Sequence, residues 1–135
     1  MAEASPGART RPLSPHVQIW RWHVTMATSI LHRVTGVGLY GGALILAGWA
    51  FALAAGEGAY VAYTGLLGSL LGKLVLFGIT VCAFYHLGNG IRHLVWDAGR
   101  GFDLKTANST GWAALAFGVV AAVAVWALVL TGAVR

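Results

Sequence analysis

Three long apolar runs divide the chain. Val34 to Ala55 is uncharged and rich in Leu, Ala and Gly; Leu66 to Ile91 carries Lys73 near its start and His86 well inside; Trp112 to about Thr131 is uncharged throughout. A hydrocarbon core of about 30 Å needs about 20 helical residues, so each run is long enough to cross a membrane. Between them the pattern predicts a short loop, GEGAYVAYTG, and a longer polar loop, RHLVWDAGRGFDLKTANSTG. Residues 16–33 mix aromatics with cations and read as an interfacial segment, with Trp20 and Trp22 suited to the headgroup level. Residues 1–15, rich in Ala, Ser, Pro and Arg, read as a flexible tail ended by Pro12 and Pro15. No internal repeat is visible. The expected architecture is all-α: one transmembrane domain over residues 16–135, with spans at about 34–55, 66–91 and 112–131.

Composition agrees. Of 135 residues, 58% are hydrophobic and only 10% charged, with a mean hydropathy of +0.73, which a soluble domain of this size does not tolerate. The net charge of +5 forms no nucleic-acid patch, because the cations sit at the ends of the apolar runs. With three spans, Arg9, Arg11, Arg21, Arg33, Arg92, Arg100 and Lys105 share one side and only Lys73 and Arg135 the other. The positive-inside rule then places the N-terminus and second loop in the cytoplasm. The single cysteine, Cys82, lies in an apolar run and excludes both an intrachain disulfide and a cysteine metal cluster; as a small apolar filler it needs no further role. The first ~25 residues lack an apolar core for a secretory signal, so the N-terminus is expected to be retained.

An ionisable residue inside a span is a candidate functional site. His86 lies about 9 Å along the helix axis from Arg92, too deep to snorkel easily. A neutral imidazole bonded to a neighbouring helix is the plain alternative; haem ligation is the functional one. His93, two turns on, shares the face of His86 about 10 Å nearer the cytoplasm, close to the distance from a haem iron to its propionates. Gly88 and Gly90 remove side chains near His86, which suits a flat macrocycle or close helix packing. Low-spin haem iron needs a second axial ligand. The other histidines, His16, His23, His32 and His93, all sit at the cytoplasmic boundary, so that ligand is expected from another subunit.

Ser29 and Arg33 are four residues apart at the head of the first span, where a lipid quinone would arrive. A serine hydroxyl can bond a quinone carbonyl, and an arginine can hold the negative charge that builds before protonation; Ile30 and Thr28 can line such a pocket. Helix capping by Ser29 and positive-inside anchoring by Arg33 are the alternatives. His32 and Arg33 end near Arg92 and His93, a basic cluster able to hold two carboxylates. Asp97 is the acid nearest to it, expected to pair with Arg92, Arg33 or Arg100.

RPLSPHVQIWRW, SILHRVTG and HLGNGIRHLVWDAGRG, in this order with three spans, resemble the cytochrome b subunits of succinate dehydrogenase, respiratory complex II. The resemblance runs from about Arg11 to Gly101 in motif and through the third span in topology, and is closer to the mitochondrial and alphaproteobacterial form than to the enterobacterial one. It implies that His86 is the axial ligand of haem b, that Ser29 and Arg33 belong to the ubiquinone site, and that His32, Arg33 and His93 lie near the propionates. It also implies a second three-helix anchor subunit supplying the other haem histidine. An iron–sulfur subunit and a flavoprotein that oxidises succinate would dock on the cytoplasmic face of a bacterial inner membrane. No catalytic residue for succinate is then expected in this chain. Two rivals are a purely structural anchor without haem, against which His86 speaks, and a small transporter or channel subunit. The latter would want several polar residues lining a path through the membrane, and spans one and three have none that is charged.

Overall fold

The structure, a computed structural model, describes residues 15–133. Most of the expected tail, with Arg9 and Arg11, and Arg135 at the other end lie outside the described residues. Among the described residues five helices follow in order: α1 (His16–Ile19), α2 (Val24–Ala55), α3 (Glu57–Gly68), α4 (Leu70–Asp97) and α5 (Leu104–Leu130). No strand occurs among the described residues. Helices α2, α4 and α5 are each long and apolar enough to cross a membrane, and in hydrocarbon a helix is the form that satisfies every backbone donor and acceptor internally.

The helices are longer than the apolar runs that announce them. α2 begins at Val24, ten residues before the first run, because nothing between Val24 and Arg33 breaks a helix and cationic side chains can reach back to the headgroups from it. The second polar loop shrinks to residues 98–103. Gly99 (φ 74°) and Gly101 (φ 76°) make the left-handed turns there. Asp103 then caps α5 by accepting a 2.8 Å bond from the Thr106 N–H, which holds its carboxyl below the usual carboxylate range.

The segment GEGAYVAYTG is helix, not loop. Gly56 alone reverses the chain, at φ 108°, and α3 folds back along α2. There the Tyr63 hydroxyl donates to the Ile45 carbonyl at 2.8 Å, and Gly48 supplies the space: a Cβ on it would meet Tyr63 Oη at 2.6 Å. Packing against α2 outweighs the helix-weakening Gly58 and Gly65. α3 then hands over to α4 at Ser69, whose hydroxyl accepts from the Gly72 N–H at 3.1 Å.

Small residues draw the helices together. On α2, Gly38 and Gly42 form a GxxxG pair; a Cβ on either would touch Cys82 Sγ at 3.1 Å or Ile79 Cγ2 at 2.9 Å. Cys82 is a free, half-buried thiol filling that seam. On α5 the buried stripe is Ala107, Gly111, Ala114, Gly118 and Ala122, which lets Tyr85 of α4 fill the seam, while Gly88 of α4 leaves room for the edge of Phe117. Phe84 meets Phe117 edge-on at 5.9 Å, and the Trp126 indole N–H donates to Thr80 Oγ1 at 3.1 Å. Large side chains such as Phe51, Leu70 and Val120 point outward, as lipid or a partner subunit requires.

Candidate functional site

On α2, residues 28, 32 and 35 fall on one stripe, at i, i+4 and i+7, and that stripe faces α4. The GxxxG register sets Thr35 opposite His86. His86 Nδ1 lies 3.1 Å from the His32 carbonyl and 3.2 Å from Thr35 Oγ1. A carbonyl can only accept, so Nδ1 carries the proton, and in the neutral ring Nε2 is left with the lone pair. The ring is half-buried. Its Cε1 would lie 3.4 Å from a Cβ on Gly36, so a larger residue there would crowd it.

His32 sits between the two histidines of α4. Its ring stacks on His86 with centroids 3.8 Å apart and an interplanar angle of 14°, and approaches His93 at 5.0 Å. His93 in turn meets Trp96 edge-on at 5.2 Å. The two-turn spacing of His86 and His93 thus becomes a continuous ladder, with an imidazole of α2 as the middle rung. His32 Nδ1 is buried without a hydrogen-bond partner among the described residues. Gly90 lies beside this ladder, since a Cβ on it would be 3.8 Å from His32 Cε1. Gly88 does not: it faces α5, with Phe117 Cδ1 at 3.0 Å.

Arg92 is not in the ladder, contrary to the expectation that it joins the propionate cluster. Six residues from His86 is about 120° away around the helix, whereas seven brings His93 back to the same face. Arg92 is 5% exposed and bridges three helices. Its Nε donates to Thr110 Oγ1 at 3.1 Å, one terminal nitrogen donates to Thr28 Oγ1 at 3.2 Å and Asn89 Oδ1 at 3.3 Å, and the other donates to the Ala107 carbonyl at 2.9 Å. The guanidinium also lies 3.9 Å from the centre of the Trp96 ring. All its partners are neutral; Asp97 is exposed and not among them. Thr28, expected to line a quinone pocket, is fully buried in this junction, and the Tyr85 hydroxyl donates to its carbonyl at 2.6 Å. A cleft of about 350 Å³ between α4 and α5 borders Arg92, Trp96 and Phe117, and neither His86 nor Ser29 lines it.

Ser29 and Arg33 follow Thr28 and His32 by one residue each and so lie together on the flank of α2 next to the ladder. Ser29 is half-buried, Arg33 and Ile30 exposed. Thr28 turns inward and Ile30 outward from that flank.

The family described as the succinate dehydrogenase/fumarate reductase transmembrane subunit matches residues 7–125. The chain belongs to this family. It is 38% identical over 116 residues to the succinate dehydrogenase cytochrome b556 subunit of Rickettsia felis, covering 86% of this chain and 90% of the relative. Against the cytochrome b556 subunit of Paracoccus denitrificans it is 37% identical over 123 residues, 91% of this chain and 93% of that one. The mitochondrial cytochrome b560 subunit of Sus scrofa is 38% identical over 123 residues, 87% and 71% of the two chains. Family membership makes this a multi-pass subunit of a membrane enzyme complex, as the three long apolar helices require.

Four residues of this region carry no role in the sequence reading: Thr35, Tyr85, Asn89 and Thr110. Thr35 and Asn89 lie within the motifs SILHRVTG and HLGNGIRHLVWD. The available signal was polarity itself, since a hydroxyl or amide inside a span must find a partner there.

Proposed function

We propose that this chain is the haem b-binding anchor subunit of a succinate:quinone oxidoreductase and supplies part of its ubiquinone reduction site. The observation that supports this most is the state of His86. Its Nδ1–H is held by a backbone carbonyl, so the lone pair is on Nε2, where it would be free to bind haem iron. The surroundings fit the group as well: Gly36 leaves the ring uncrowded, and His32 and His93 continue along one face toward the end of α4, where two carboxylates would find imidazole partners. When bound, the haem supplies one-electron redox chemistry beside the quinone site.

This chain's own residues then have separate tasks. Ser29 donates its hydroxyl proton in a hydrogen bond to one carbonyl of the quinone head. Arg33 stabilises the negative charge that builds on the oxygen before it is protonated. Ile30, 44% exposed beside them, offers an apolar wall to the ring. Two electrons, delivered from the iron–sulfur subunit, and two protons convert quinone to quinol. The other haem histidine would be supplied by a second three-helix anchor subunit. The iron–sulfur subunit and the flavoprotein that oxidises succinate dock on the cytoplasmic side, where the positive-inside count places the N-terminus and the 98–103 turn of a bacterial inner-membrane protein.

The test is a reduced-minus-oxidised absorption spectrum of the purified complex. A b-type α-band is expected, and it should vanish in His86→Ala; an undiminished band in that variant overturns the ligand assignment. Ser29→Ala and Arg33→Ala should each lower quinone reduction while succinate oxidation with an artificial acceptor persists. Full quinone reductase activity in both variants would refute the quinone site.

A further inference from the structure

Thr35 stands directly behind the proposed ligand, and its hydrogen bonds leave little choice about what it does there. Its Oγ1 lies 2.8 Å from the Leu31 carbonyl, 3.0 Å from the His32 carbonyl and 3.2 Å from His86 Nδ1. A hydroxyl has one proton and two lone pairs. The two carbonyls can only accept, so the proton goes to one of them and a lone pair is left for His86. On the other side, the His32 carbonyl obliges His86 Nδ1 to carry its proton. The Nδ1–H is therefore shared between a backbone carbonyl and a hydroxyl whose own direction is set by α2.

Three further features make this a built arrangement. Thr35 is buried, at 9% exposure, although it is polar and lies within a span. It is back-bonded to its own helix, so its rotamer is held independently of His86. The imidazole is also confined by the His32 ring stacked at 3.8 Å and by Gly36 against Cε1. Rotation of the ring would break the Nδ1 bonds with nothing gained.

We propose that Thr35 is a positioning residue for the haem ligand: by accepting from Nδ1–H it holds the orientation of His86, whose tautomer the His32 carbonyl sets, and raises the electron-donor strength of Nε2. An acceptor on the far nitrogen makes an imidazole a more basic ligand, which favours the oxidised metal. Thr35 thereby lowers the haem midpoint potential. The proposal rests on the reading of His86 as the axial ligand.

The experiment is a spectroelectrochemical titration of the haem in the purified complex, with the low-spin electron paramagnetic resonance signal recorded on the same samples. Wild type, Thr35→Ser, Thr35→Val and His86→Ala are compared. Serine keeps the hydroxyl and valine keeps the shape without it. The expected result is a midpoint shifted to more positive potential and an altered low-spin signal in Thr35→Val, with Thr35→Ser close to wild type. A Thr35→Val complex that assembles without haem, while Thr35→Ser retains it, supports the same role. A wild-type midpoint and signal in Thr35→Val overturn it, as does loss of haem in both Thr35 variants. Should Thr35→Val not assemble, Thr35→Ala is titrated against Thr35→Ser and judged by the same outcomes. His86→Ala separates the two claims: retention of its full haem band overturns the ligand reading, whereas haem loss there with an unmoved Thr35→Val overturns only the role of Thr35.

Discussion

Replacing Arg92 by methionine separates a structural brace from a member of the haem environment. Methionine keeps an unbranched apolar stem and removes the guanidinium. Three bonds leave α4 for its neighbours, to Thr28, Thr110 and the Ala107 carbonyl; interhelical hydrogen bonds in a bilayer average about 0.6 kcal/mol, so together they contribute roughly 2 kcal/mol. The contact with Trp96 at 3.9 Å adds about 1 kcal/mol. Asn89 is the group harmed most. It is fully buried, its Nδ2 has no partner among the described residues, and its Oδ1 would lose the Arg92 donor, which costs about 1–3 kcal/mol. Against these stands the penalty of holding an arginine within a span, about 2.5–3.5 kcal/mol at a helix centre and less toward the end, which methionine removes. The net expectation is a destabilisation of roughly 2 kcal/mol, with about half recovered when Asn89→Leu is added and the orphaned amide disappears. Thermal denaturation of the detergent-solubilised complex measures it. The b-type haem band should persist as in wild type, because Arg92 makes its hydrogen bonds outside the imidazole ladder. An unchanged denaturation midpoint refutes the reasoning. A shifted haem potential with an unchanged midpoint would put Arg92 back among the groups around the haem.

Gly118→Ala places a Cβ 2.7 Å from Tyr85 Cβ and 3.0 Å from its Cα; backbone cannot step aside, so α5 must move, at about 1–3 kcal/mol of stability, whereas Gly41→Ala, with nothing among the described residues within 4 Å, should cost no stability in the same denaturation assay. Asp103, with its folded-state pKa lowered by the Thr106 N–H, stabilises the start of α5 above the ordinary aspartate pKa and loses that contribution as pH falls through its lowered value; Asp103→Asn should flatten the acid limb of a pH–stability curve. For topology, a cysteine at Ala98 in a Cys82→Ser background should react with a membrane-impermeant maleimide only from the cytoplasmic side, and one at Glu57 only from the other; the reverse pattern would invert the proposed orientation.

What the sequence determined by itself was the part of the fold that the solvent dictates. Three apolar runs of spanning length must be helices in a bilayer, whatever they pack against. A histidine too deep to reach water marks itself as a site, and the motifs around it identify the family. The run boundaries were less legible, because hydropathy reports where lipid begins while backbone hydrogen bonding carries a helix on through charged residues. Thus α2 starts at Val24 and α4 continues to Asp97. The fold-back of α3 hung on the backbone of Gly56, which no hydropathy pattern records. Only the tertiary structure decided which polar residues meet. The glycines of α2 set its register on α4, and that register puts His32 between His86 and His93 and Thr35 behind His86 Nδ1. The small-residue stripe of α5 brings Thr110 and Ala107 to the other face of α4, where they take Arg92. Adjacent residues on a helix point about 100° apart, so His93 and Arg92 part company according to where α2 and α5 pack.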